Sequence, residues 1–134
     1  MTLDIVAETD MVTLWYHPEE KIVHHQIHKY AYGEEFRRVL VLGVETLKKN
    51  GACKWLSDDR SHKAIPKEDI DWGRNEWTGM AIKAGWKYWA IVPPTSAVGK
   101  MSYERMIEEY RSLGVDVSVF DDAEQAMEWL KSVH

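Results

Sequence analysis

Cysteine is almost absent: Cys53 stands alone in 134 residues. A lone cysteine excludes an internal disulfide, and without a Cys-x-x-Cys partner it excludes the common thiolate zinc and redox motifs. Cys53 is expected inside a strand as a small hydrophobe. Long apolar runs are missing too, since no window approaches the roughly 20 apolar residues that span a bilayer. Met1-Thr2-Leu3-Asp4-Ile5 lacks the basic-then-apolar pattern of a secretory leader. These absences predict a soluble, cytoplasmic protein without integral membrane insertion. Positive charge is in short supply, with 17 Lys and Arg against 22 Asp and Glu, a net of -5. The basic residues are scattered rather than striped, which argues against nucleic acid as a partner. No Gly-x-Ser-x-Gly elbow is present, so a hydrolase triad has no support. The stretch Thr95-Ser96-Ala97-Val98-Gly99-Lys100 ends in Gly-Lys, but Pro94 stands where a phosphate loop needs glycine and Met101 follows the lysine. Repeats, low-complexity tracts and linkers are also missing, and the length suits a single domain, 1–134, burying about two-thirds of its unfolded surface.

What is present is a change of hydrophobic period. Residues up to about 30 alternate as strands, near Asp4 to Glu8, Val12 to Tyr16 and Ile22 to Ile27, with Pro18-Glu19-Glu20-Lys21 as a hairpin turn. From Gly33, Phe36, Val39, Leu40, Gly43, Val44 and Leu47 recur at helical steps until Asn50-Gly51. Ala52 to Leu56 reads as a strand. Ile65-Pro66 opens a helix whose Ile70, Gly73, Trp77, Met80, Ala81 and Ala84 share a face before Gly85. Trp86 to Val92 is a buried strand closed by Pro93-Pro94, and Ser102 is the expected N-cap of the next helix, which runs to Gly114. A last strand, Val115 to Phe120, passes through Asp121-Asp122 into a helix over Ala123 to Val133. The predicted class is α/β: a mixed sheet with an N-terminal hairpin, then alternating strands and helices, in the order β-β-β-α-β-α-β-α-β-α.

That order, the segment Lys54-Trp55-Leu56-Ser57-Asp58-Asp59-Arg60 with Trp72, and the ending Phe120-Asp121-Asp122-Ala123-Glu124-Gln125-Ala126-Met127-Glu128-Trp129-Leu130 resemble the SpoIIAA-like or STAS-like domains. That group also takes in sheet-and-helix proteins classed with the SEC14 lipid-binding fold. The ending looks like the F-x-x-x-E-x-A-x-x-W-L tail of small members of unknown function. Its local physics is a cap at Asp121 or Asp122 and an apolar stripe of Ala126, Met127 and Leu130. The resemblance implies a regulatory or protein-interaction domain. Anti-sigma factor antagonists of this fold carry a phosphorylatable serine at the start of the helix after the strand matching Ala52 to Leu56. Here that helix opens Pro66-Lys67-Glu68-Asp69-Ile70-Asp71, with no hydroxyl, so the serine switch does not carry over.

Asp58, Asp59 and Arg60 close a strand, and the carboxyl ends of strands in open α/β sheets are common ligand sites. Two readings of this cluster stand side by side. In one, the three form a polar floor for a small anionic or apolar ligand or a partner's basic group, walled by Trp72 and Trp77 and reached by Lys100. In the other, they satisfy loop amides and one another while the tryptophans fill the core. A general acid/base pair is disfavoured, because neighbouring strand residues point to opposite faces. If the hairpin turn has four residues, His17 faces Ile22, and Trp15, His17, His24 and His28 share a sheet face with His25 on the other. His17, His24 and His28 are a weak metal alternative without a completing carboxylate or cysteine. His62 is a loop residue without a visible partner. An exposed face bearing Trp15 and Ile22 predicts a homodimer. No cofactor is expected. The leading expectation is a non-enzymatic regulatory or protein-interaction domain; the alternative is a small-molecule or lipid carrier using the Trp-lined edge.

Overall fold

The computed structural model describes residues 3–134; Met1 and Thr2, the start of the segment that lacks a leader pattern, lie outside them. Six strands, β1 (Asp4–Glu8), β2 (Val12–His17), β3 (Ile22–Ile27), β4 (Lys54–Asp58), β5 (Tyr88–Val92) and β6 (Asp116–Val119), form one mixed sheet in strictly sequential order. The first three pair antiparallel and the last four parallel. His17 sits opposite Ile22, as the four-residue turn requires, with Lys21 at its end in the left-handed region.

Between the parallel strands run α1 (Gly33–Asn50), a helical segment over 67–83, and α4 (Ala97–Ser112); α5 (Ala123–Ser132) closes the chain. The middle segment is α2 (Lys67–Trp72), a π turn (Gly73–Trp77) and α3 (Thr78–Lys83) in unbroken succession. The α/β class is therefore that expected from the period change. Boundaries differ locally. The cap of α4 lies six residues before the expected one, because Ser96 rather than Ser102 accepts from the Gly99 N–H at 3.1 Å. Asp122 is the carboxylate that caps α5, accepting from Gln125 N–H at 2.8 Å. Cys53 lies just ahead of β4, half-buried against the α5 layer.

Strand alternation sorts the side chains into two layers. One face carries Leu14, Val23, Ile27, Trp55, Trp89, Ile91 and Val117, packed with α1 and α4 in the larger core. There α1 passes so close to the sheet that a methyl at Gly43 would overlap the far edge of the Trp55 ring, so only glycine fits. The other face carries Ile22, Leu56, Tyr88, Ala90 and Val92, covered by Ala126 and Leu130 of α5. Since α5 crosses β4 and β5, Ile22 is fully buried. It cannot belong to a dimer face, which corrects the expectation that paired it with Trp15. Trp15 itself is half-buried beyond the reach of α5, beside His17 and His24.

Candidate functional site

On the larger-core face, β4 presents Trp55 and Ser57, with Asp59 continuing the same alternation just beyond the strand. Parallel pairing sets His25 of β3 beside Ser57, a neighbourhood that local sequence cannot reveal. These residues form one connected set of buried polar groups. Trp55 Nε1 donates to His25 Nδ1 at 3.0 Å, and His25 Nε2 lies 2.7 Å from Asp59 Oδ1. An indole N–H only donates, so Nδ1 must accept and the imidazole hydrogen sits on Nε2, pointing at Asp59. His25 is thus neutral in this arrangement, and its contact with Asp59 is a hydrogen bond rather than an ion pair. The hydroxyl of Tyr103, from α4, donates to Asp59 Oδ2 at 2.7 Å. Burial, then the Asp59 charge and that hydrogen bond, hold the phenol well above its ordinary pKa, so it remains a donor.

The same hydroxyl lies 3.2 Å from His62 Nδ1, and His62 Nε2 donates to the Ala31 carbonyl at 2.8 Å. His62 is 3% exposed. Far from lacking a partner, it fastens the loop after β4 to α4 and to the chain entering α1. Its contacts come from residues 31 and 41 positions away, which is why none showed in the sequence.

Above this floor lies a cavity of about 500 Å³ between the 67–83 segment and α4. Its walls include Trp55, Trp72, Trp77, Trp86, Trp89 and Tyr110, and its floor includes Ser57, Asp59 and His25. The π turn shapes it. In a regular α-helix, residues five apart diverge by about 140°; the extra residue in a π turn draws Trp72 and Trp77 towards the same side. Thr78 Oγ1 donates to Gly73 O at 2.8 Å across that turn. Met80, expected on the buried face, is 41% exposed. At one end of the cavity Arg74 grips Glu109 of α4 through two bonds of 2.7 and 2.9 Å, and Thr78 meets Tyr110 OH at 3.0 Å. Arg37 and the Gly33 N–H both reach Asp69, at 2.7 and 3.2 Å, tying α2 to the start of α1.

Of the sequence candidates, Asp59, Trp72 and Trp77 come together at the cavity. Asp58 and Arg60 do not. Asp58 points to the opposite sheet face, where its buried carboxylate takes two bonds from Arg60, at 3.0 and 2.9 Å. Lys100 is exposed on α4 and outside the lining, because the earlier helix start turns Val98 and Met101 to the cavity instead. The place of the site is also corrected. With strands in sequential order the sheet has no switch point, and the cavity runs along a sheet face under two helices rather than across the strand ends. Sequence reasoning missed His25, Ser57, His62 and Tyr103; only the i, i+2 spacing of Trp55, Ser57 and Asp59 was a readable signal.

The three hairpin histidines do not converge. His17 Nε2 lies 3.1 Å from His24 Nδ1, whereas His28 bonds Thr13 Oγ1 at 2.7 Å. Among the described residues no group of three His, Cys, Asp or Glu could hold a metal, and no helix is long and apolar enough to cross a membrane. Comparison with known proteins finds no matching family model, no matching curated protein and no matching solved structure.

Proposed function

We propose that this chain is a non-enzymatic binding domain whose cavity between the 67–83 segment and α4 takes one small, largely apolar molecule. The observation that carries the reading is the tryptophan-walled cavity of about 500 Å³, within the size range of pockets that enclose small ligands. The state of the polar floor favours binding over catalysis. Both nitrogens of His25 are occupied, Ser57 faces an indole donor rather than a base, and Tyr103 is held protonated. A general base needs a free lone pair within reach of substrate, and a serine nucleophile needs such a base beside it.

The test is a thermal-shift screen of metabolites, with native mass spectrometry for a co-purifying compound, repeated on Met106→Trp. Met106 is a half-buried wall residue, and an indole there takes up part of the space. Ligands that stabilise the parent chain are expected to lose their effect on the folded variant. Hits that stabilise both chains equally would remove the cavity from consideration.

A second reading, a SpoIIAA-type protein-interaction domain acting as a homodimer in the cytoplasm, draws support from exposed apolar side chains on the cavity wall. Val98 is 69% and Met101 62% exposed on the first turns of α4. Val98→Ser with Met101→Ser would abolish partner capture on this reading, whereas Met106→Trp, which alters the half-buried cavity wall, would leave capture in place.

A further inference from the structure

Resting on the cavity as a ligand site, we propose that its ligand is a planar aromatic molecule carrying an N–H or O–H donor at its buried end, received by Asp59. The walls supply the first half. Four indole N–H groups are turned away from any ligand: Trp55 to His25, Trp77 to the Leu40 carbonyl at 2.9 Å, Trp86 to the Tyr88 carbonyl at 3.1 Å, and Trp89 to Ser57 Oγ at 2.8 Å. These walls therefore offer ring faces and C–H edges and no donor. The rings meet edge to face, Trp77 on Trp86 at 5.4 Å and Trp86 on Trp89 at 5.5 Å, which leaves faces and edges to accept another ring in the offset or T-shaped geometry that aromatic groups prefer. A flexible saturated chain forgoes that geometry and loses more rotamer entropy on ordering.

The floor supplies the second half. Each oxygen of Asp59 accepts one recorded bond, from His25 or Tyr103, and a carboxylate oxygen has capacity for a further one. Among the described residues no Lys or Arg bonds it, so acceptor capacity is concentrated at a group only 4% exposed. Ser57, also a floor residue, accepts from Trp89 and keeps its own hydroxyl hydrogen to donate. A buried carboxylate rewards a donor and disfavours an isosteric ligand that lacks one, because desolvating an acceptor without compensation is costly. Ser57 and Asp59, two residues apart on one alternation, present a donor and an acceptor side by side. A phenol or a cyclic amide, each carrying a donor and an acceptor, matches that pair.

The test uses the full chain and three probes: 2-naphthol, 2-methoxynaphthalene and decan-1-ol, titrated by calorimetry. The expected result is 2-naphthol binding roughly tenfold or more tightly than its methyl ether, since one charge-assisted hydrogen bond is at stake, and more tightly than decan-1-ol. Asp59→Asn, if folded by circular dichroism, should bring the two naphthalenes closer together in affinity; the two-probe ratio on the parent chain decides the matter even if that variant does not fold. Equal binding of 2-naphthol and its ether overturns the donor inference and leaves the cavity reading standing. Tighter binding of decan-1-ol overturns the aromatic class. No binding by any of the three overturns this inference together with the ligand-binding reading beneath it.

Discussion

Asp58 and Asp59 are adjacent and of the same type, yet the alternation of a strand gives them opposite lives. Asp59 enters the polar set under the cavity, while Asp58 is sealed on the far face with Arg60 as its side-chain partner among the described residues. Arg60 is itself 43% exposed at the side chain, so the guanidinium loses little by deletion, but the carboxylate it covers is 5% exposed. Arg60→Ala should therefore lower folding stability by about 1–3 kcal/mol, the usual cost of orphaning a buried hydrogen-bonding group. Affinity for a cavity ligand should not change, because neither residue lines the cavity. Urea unfolding beside a binding titration reads both quantities. A large loss of affinity with unchanged stability would reinstate Arg60 as a ligand contact.

At the scale of elements, the hairpin is expected to make the fold sensitive to acid. His24 packs at a tilt against Trp15, with ring centroids 4.8 Å apart, and stacks on His17 at 5.4 Å. Burial, then the neighbouring His17 and His25, push its pKa from 6.5 down to about 3, against a smaller opposing pull from Asp58. Burial lowers His17 as well, with Glu20 opposing and Lys131 adding to the effect. A depressed folded-state pKa means that the unfolded chain binds the proton more readily. The stability is thus fully present above the unfolded value of 6.5 and is lost as pH falls from 6.5 towards 3. The slope reaches at most about 1.4 kcal/mol per pH unit for one group. His24→Phe keeps a ring against Trp15 and removes the titration, so its denaturant midpoint should fall less steeply than the parent's between neutral pH and about pH 4.5. Parallel curves for the two chains would place the acid sensitivity elsewhere.

For the whole molecule, the helices are unevenly shared. Three helical segments cover one face, and α5 alone covers the other, over β4 and β5. The hairpin side of that second face keeps Trp15 half-buried, and Ile5, paired to it across the strands, is 61% exposed. If this patch associates two copies, Trp15→Ala should shift sedimentation towards the monomer; a parent chain that is monomeric at high micromolar concentration rejects the idea. The class and element order were legible from the sequence because they rest on local rules. Period two over Val12 to Ile27, period near 3.6 from Gly33, and caps and glycines between them are properties of neighbours along the chain. The resemblance in the Lys54 to Arg60 segment and the tail added a family expectation, and Asp59, Trp72 and Trp77 were readable as candidates. The site itself was decided by tertiary structure. His25 meets Ser57 only through parallel pairing, Tyr103 reaches Asp59 only through the packing of α4 on the sheet, and Trp72 joins Trp77 only because a turn takes one extra residue. Each depends on contacts between residues distant in sequence or on a helical irregularity that no local periodicity encodes, and the same holds for Ile22, which one helix at the end of the chain removes from the surface.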